Sequence, residues 1–141
     1  MGRGYVLDCR GLSQIPLDLL LRHEAAIRDA DFLLFCTGWD QYWGADAYYR
    51  GFPCLTEEAA RFVASLPLKG VGEDSISLDP CDTVDYPNHL TLFSAGLVNT
   101  ENLKGLAQLI GREFTFLTMP LKFENADGCS CRAAAIVTKE A

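Results

Sequence analysis

Apolar positions along the chain follow two rhythms. Tyr5-Val6-Leu7-Asp8-Cys9 and Phe32-Leu33-Leu34-Phe35-Cys36 are short apolar runs, the first leading to Gly11 and the second ended by Gly38. Runs of this length bounded by glycine predict strands. Between them, Leu17 to Ala30 carries apolar residues at 17, 20, 21 and 27 with Asp18 early in the run, which predicts a helix after Pro16. Thr56-Glu57-Glu58 opens a second predicted helix. Thr56 can cap the free amides, two acids sit at the positive helix end, and Ala59, Phe62, Val63 and Leu66 line one face before Pro67.

Downstream, Lys69 to Gly72 predicts a short strand running into the polar loop Glu73 to Pro80. His89 to Phe93 is apolar and fits either a strand or a short helix, Leu97-Val98 leads up to Glu101, and Leu103 to Leu109 suits one or two helical turns. Phe114 to Met119 and Ala133 to Val137 predict the last two strands, joined by a connection that contains Gly128. Strands and helices alternate, and the late strands are close enough for mixed pairing. One α/β layer structure is expected.

Composition narrows the function. The 141 residues suit one domain, with 49% hydrophobic and 22% charged residues, an ordinary globular profile. Twelve basic residues face 19 acidic ones for a net charge of −7, and the basic residues come singly, which argues against nucleic acid as a partner. No apolar run approaches the roughly 20 residues needed to cross a bilayer, and Met1 to Val6 has no long apolar signal region. A cytoplasmic location and no membrane partner are expected. The six cysteines lie at 9, 36, 54, 81, 129 and 131. Their spacing matches neither a redox C-x-x-C nor a paired zinc knuckle, so reduced structural thiols are expected.

Only two histidines are present, which limits any metal chemistry. His89 and Glu101, twelve apart, are suitable ligand types for zinc or manganese, although a lone histidine near a proline also suits a plain hydrogen-bonded role. The loop Gly72 to Pro80 holds three carboxylates and two hydroxyls, compatible with a site lining or with a solvated turn. Residues 39 to 52 hold six of the 15 aromatics, Trp39, Tyr42 and Trp43 among them. That much aromatic surface predicts a ligand pocket, a subunit contact or a satellite core. Cys129-Ser130-Cys131 with His89 could form a structural zinc site.

Several of these segments, in order, resemble the metal-dependent cyclase family, which includes bacterial kynurenine formamidase (arylformamidase) and isatin hydrolase. Phe32 to Gly44, with Thr37-Gly38-Trp39 and Trp43-Gly44, resembles its strand and TGW…WG segment. Pro53 to Phe62 is similar to its P-x-L-(S/T)-x-E-A-A helix start, and Val71 to Pro80 to its VGxDxxSxDP loop. His89 followed by Glu101-Asn102-Leu103 is similar to its second pair of metal ligands, and Met119 to Lys122 with Gly128 to Ala133 to its closing hairpin. The resemblance runs from about Tyr5 to Val137.

It implies a single-domain, mixed-sheet, swivelling β/β/α fold in homodimers or larger assemblies. It also implies hydrolysis of an amide-type C–N bond in a small, often aromatic substrate by metal-activated water. His89 and Glu101 would be ligands to a divalent zinc or manganese ion, and Trp39, Tyr42 and Trp43 would build the substrate pocket or the dimer contact. The family's principal metal motif, His-x-Gly-Thr-His-x-Asp-x-Pro-x-His, is absent. With it goes the acid/base histidine, so the catalytic residue of this chain is unknown. His23 lacks that context. Residues 1–141 therefore look like the C-terminal portion of a cyclase-family domain, N-terminally incomplete and carrying part of a metal site. The alternative is a non-catalytic truncated homologue that dimerises or binds a small molecule. Loss of N-terminal strands would leave a sheet edge and apolar surface exposed.

Overall fold

Alternation along β1 (Gly2–Asp8) and β3 (Phe32–Cys36) sends Tyr5, Leu7, Leu33 and Phe35 to one side, and Val6, Phe32, Leu34 and Cys36 to the other. Both sides meet apolar partners. That is why these strands read as continuous apolar runs rather than as alternating ones. The computed structural model describes residues 1–138.

Six strands form one sheet in the order β6 (Val98–Thr100), β5 (Gly70–Glu73), β3, β1, β7 (Phe114–Pro120), β8 (Cys131–Val137). The first four are parallel; β7 and β8 add antiparallel. Tyr5 lies opposite Leu33, Leu33 opposite Val71, and Val71 opposite Asn99. Helices α1 (Leu17–Arg22), α2 (Glu24–Arg28), α3 (Glu57–Ala64) and α4 (Pro87–Ser94) link successive parallel strands. Leu20, Ile27, Val63 and Leu92 pack with Leu7, Leu33, Phe35 and Val71 in one core. On the second face Leu103 and Leu106 join Phe32, Phe114 and Phe116. The Thr100 hydroxyl lies 3.4 Å from that of Thr118 although their strands are not sheet neighbours, so the sheet is curled.

Strand glycines admit close neighbours, as at Gly4 and Gly72. A Cβ on Gly4 would fall 2.2 Å from the Phe114 ring, and one on Gly72 would fall 2.8 Å from Leu103 Cδ1 and 2.9 Å from the Thr100 carbonyl oxygen. No larger side chain fits at either place without moving its neighbours.

Most expected elements are present, and the differences have physical causes. The helix expected over Leu17 to Ala30 is broken into α1 and α2 at His23, whose backbone (φ −111°, ψ 10°) leaves the helical range. There the ring Nδ1 lies 2.7 Å from the Tyr5 hydroxyl, which ties the break to β1. His89 to Phe93 is helical, with Pro87 in the first turn. Leu103 to Leu109 yields one 3-10 turn, Leu106–Leu109. A parallel pair, β2 (Gln14–Ile15) with β4 (Cys54–Leu55), and 3-10 turns at Trp39–Tyr42 and Asp46–Tyr49 carried no sequence signal. Thr56 caps α3 as expected, its hydroxyl accepting from Ala59 N.

All six cysteines are free, with Cys9, Cys36 and Cys54 buried. Burial pushes the Cys36 and Cys54 thiols up to about 12, the behaviour of structural rather than reactive sulfur. Met119, Leu121, Phe123 and Ile136 are each more than half exposed, and β6 and β8 are the sheet edges. Among the described residues no helix is long and apolar enough to cross a membrane.

Candidate functional site

Parallel strands aim their C-terminal ends at one edge of the sheet, where open α/β proteins bind ligands. Here β5 ends in Glu73 and is followed by Asp74, β6 is followed by Glu101, and the loop after β5 delivers Asp79 to the start of α4. Asp79 is fully buried. Its Oδ1 accepts from Asn88 N and its Oδ2 from His89 N, both at 2.9 Å, which satisfies two free amides of the first helical turn. The same Oδ2 lies 2.7 Å from His89 Nδ1.

That contact orients the imidazole. With Nδ1–H donating to Asp79, Nε2 faces Glu101 Oε1 at 3.1 Å. The Glu101 carboxylate, helped by Asp79, holds the proton on His89 above its ordinary range against the opposing effect of burial. The ring is flanked by Tyr86, edge-on at 6.2 Å, and by Phe93 at 5.5 Å.

Beneath this pair, Asn99 Nδ2 donates to Glu73 Oε1 at 3.0 Å and lies 3.5 Å from both His89 Nε2 and Glu101 Oε1. Glu73 is fully buried, and among the described residues its Oε2 has no partner. Burial raises its carboxyl well above the usual range, and the charges of Glu101 and Asp74 add to the rise while the Asn99 hydrogen bond opposes it. Asp74 has another task. It accepts from Thr37 N and Gly38 N at 2.8 Å each and from the Thr37 hydroxyl, pinning the turn after β3. Its carboxyl is also raised by burial. The acidic loop is thus no solvated turn: Glu73, Asp74 and Asp79 are all buried.

A cavity of about 530 Å³ opens beside His89 and Glu101, walled by Tyr49, Phe52, Tyr86 and Phe93. That volume suits a small molecule. Of the aromatic segment, Tyr49 and Phe52 reach this cavity, whereas Trp39, Tyr42 and Trp43 do not line it. Trp39 instead packs against Tyr42 with the rings tilted and 4.8 Å apart and donates from Nε1 to Tyr48 O, and Trp43 packs edge-on against Tyr48. The buried Tyr48 hydroxyl donates to Asn102 Oδ1 at 2.8 Å, so this cluster fastens the loop that carries Glu101. No sequence signal singled out Asn99; Tyr48 falls in the aromatic segment 39 to 52, and Asp79 in the acidic loop with its S-x-D-P context.

A divalent ion asks for converging lone pairs. His89 Nε2, once its proton is released, and Glu101 Oε1 provide two; Asp79 orients the first, and among the described residues no Lys or Arg pairs with either. Catalytic zinc ordinarily takes three protein ligands. Among the described residues no group of three or more His, Cys, Asp or Glu side chains converges for a metal, which leaves Cys129 and Cys131 with His89 without support as a zinc site. Cys129 Sγ points to Leu121 O and Cys131 Sγ to the Thr118 hydroxyl. His89 and Glu101 therefore fit one part of a metal's ligand set.

Known proteins share sequence and fold with this chain. Residues 1–80 match the Cyclase family model, described as "Putative cyclase". An uncharacterized protein of Methanocaldococcus jannaschii is 31% identical over 137 residues, covering 96% of this chain and 64% of that protein. Kynurenine formamidase of Salinibacter ruber is 36% identical over 63 residues, 45% of this chain and 29% of the enzyme. Among solved structures, a potential metal-dependent hydrolase with cyclase activity superposes with a TM-score of 0.81 at 27% identity, over 99% of this chain and 66% of its own. An isatin hydrolase shares the fold with a TM-score of 0.85 at 24% identity, over 97% of this chain and 60% of its own. The chain thus spans about three-fifths to two-thirds of the length of the relatives it matches end to end.

Proposed function

The chain belongs to the cyclase family, and from that premise we propose that it forms part of a metal-dependent hydrolase of an amide-type C–N bond in a small aromatic substrate. One observation carries the reading. Asp79, His89 and Glu101 form a directed hydrogen-bonded array at the carboxyl edge of the sheet, opening onto an aromatic-walled cavity.

A bound divalent ion such as zinc or manganese supplies Lewis acidity, activating water and polarising a carbonyl. The protein's own residues do the rest. His89 Nε2 and Glu101 would hold the ion, with Asp79 keeping the proton on Nδ1 so that the Nε2 lone pair faces outward. Asn99 Nδ2 steadies Glu101 Oε1 from below. Tyr49, Phe52 and Phe93 form apolar walls that orient an aromatic ring and displace water from it. This chain supplies two of the donors that such an ion needs.

The scarcity of donors also motivates a second reading, a homologue that binds a small aromatic amide without cleaving it. Zinc and manganese titration by calorimetry, with N-formylkynurenine or formanilide hydrolysis followed in parallel, separates the two. Metal affinity is expected to fall at least tenfold in His89→Ala, and turnover to require the metal. Equal metal affinity in His89→Ala would refute the assignment. Amide binding without turnover would favour the second reading.

A further inference from the structure

Tyr86 precedes α4 with φ 45° and ψ 54°, in the left-handed region, and Pro87 follows it. A Cβ in that conformation crowds the next carbonyl oxygen, and a following proline favours extended backbone instead. Among the described residues the other non-glycine positions with positive φ are Asn102 and Asn125, of a residue type that tolerates it. Tyr86 is the exception. Burial does not account for it, since the residue is 53% exposed. What the conformation achieves is placement: the ring stands edge-on to the His89 imidazole at 6.2 Å and forms part of the cavity wall with Phe52 and Phe93. Unfavourable backbone of this kind persists where the surrounding structure gains from the geometry it enforces.

We infer that Tyr86 is a specificity-determining residue, held in left-handed backbone so that its ring selects ligands with a planar aromatic face beside the amide to be cleaved. The inference rests on the reading of His89 and Glu101 as the reacting centre. Aromatic rings pair edge-to-face or offset at 4.5–7 Å, an interaction an alkyl amide of the same polarity cannot make.

The test uses formanilide and N-methylformamide as probes, with affinities from ligand-observed NMR on the wild type, Tyr86→Phe and Tyr86→Asn, and melting curves for each. Asparagine adopts left-handed backbone readily and lacks the ring. Tyr86→Asn is expected to melt roughly 2–4 °C higher, because the backbone conflict is relieved. It is expected to bind formanilide roughly three- to tenfold more weakly with N-methylformamide unchanged. Tyr86→Phe should keep wild-type selectivity. Unchanged formanilide affinity in Tyr86→Asn, equal losses for both amides, a lower melting temperature, or no formanilide binding by the wild type would each overturn the inference. The His89→Ala metal titration judges the reacting centre separately. If that titration succeeds while Tyr86→Asn binds formanilide normally, only the role of Tyr86 is lost.

Discussion

Glu73→Gln is expected to stabilise the folded chain, increasingly so as pH rises. Glu73 is fully buried, its one side-chain hydrogen bond among the described residues is donated by Asn99, and burial raises its carboxyl well above the ordinary value. In the unfolded chain a glutamate ionises near pH 4.3. Below that pH both states carry the proton and the residue contributes nothing to pH dependence. Above it the folded state holds one proton more than the unfolded, so stability falls by about 1.4 kcal/mol for each further pH unit over which Glu73 keeps its proton. Each such unit is a sizeable share of the roughly 5–15 kcal/mol typical of a domain. Glutamine has nearly the shape of the protonated acid, still accepts from Asn99 Nδ2, and does not titrate. Urea unfolding of both proteins in EDTA between pH 4 and pH 8, compared by midpoint at constant slope, reads the difference. The two should agree near pH 4 and then diverge in favour of Glu73→Gln by about 1.4 kcal/mol per pH unit, for as long as the folded state keeps the Glu73 proton. Parallel stability curves across this range, or a glutamine variant less stable at neutral pH, would refute the assignment of Glu73 as a buried, proton-retaining acid.

Two further outcomes follow from the same geometry. Asp79→Asn removes the carboxylate that orients His89 Nδ1 and accepts two helix amides, so zinc affinity by calorimetry should fall roughly 10- to 100-fold. A variant that binds zinc like the wild type would mean Asp79 does not orient the ring. Gly72→Ala places a Cβ within 3 Å of Leu103 and of the Thr100 carbonyl, and should lower unfolding stability by roughly 1–3 kcal/mol; a neutral result would show that the β5–β6 edge repacks freely.

Short-range physics is legible in the sequence alone. The apolar runs at Tyr5 to Cys9 and Phe32 to Cys36, the Thr56 cap, and the late strands from Phe114 and Ala133 depend on neighbours a few residues away, and each occurs where expected. His89 and Glu101 are identifiable as a pair by resemblance, and the fold brings them to 3.1 Å. Tertiary structure decided what depends on distant groups. His23 breaks the first helix where its ring meets Tyr5, eighteen residues earlier. Asp79 is set apart from Asp74 because one carboxylate meets the start of α4 and the other meets Thr37 and Gly38 just after β3. Tyr49 and Phe52 line the cavity while Trp39 and Trp43 pack against Tyr48 and Tyr42 packs on Trp39, a choice made by how the segment turns back upon Asn102. Helix caps and strand periods are properties of adjacent residues, whereas a buried carboxylate takes its role from whichever donor the returning chain presents to it.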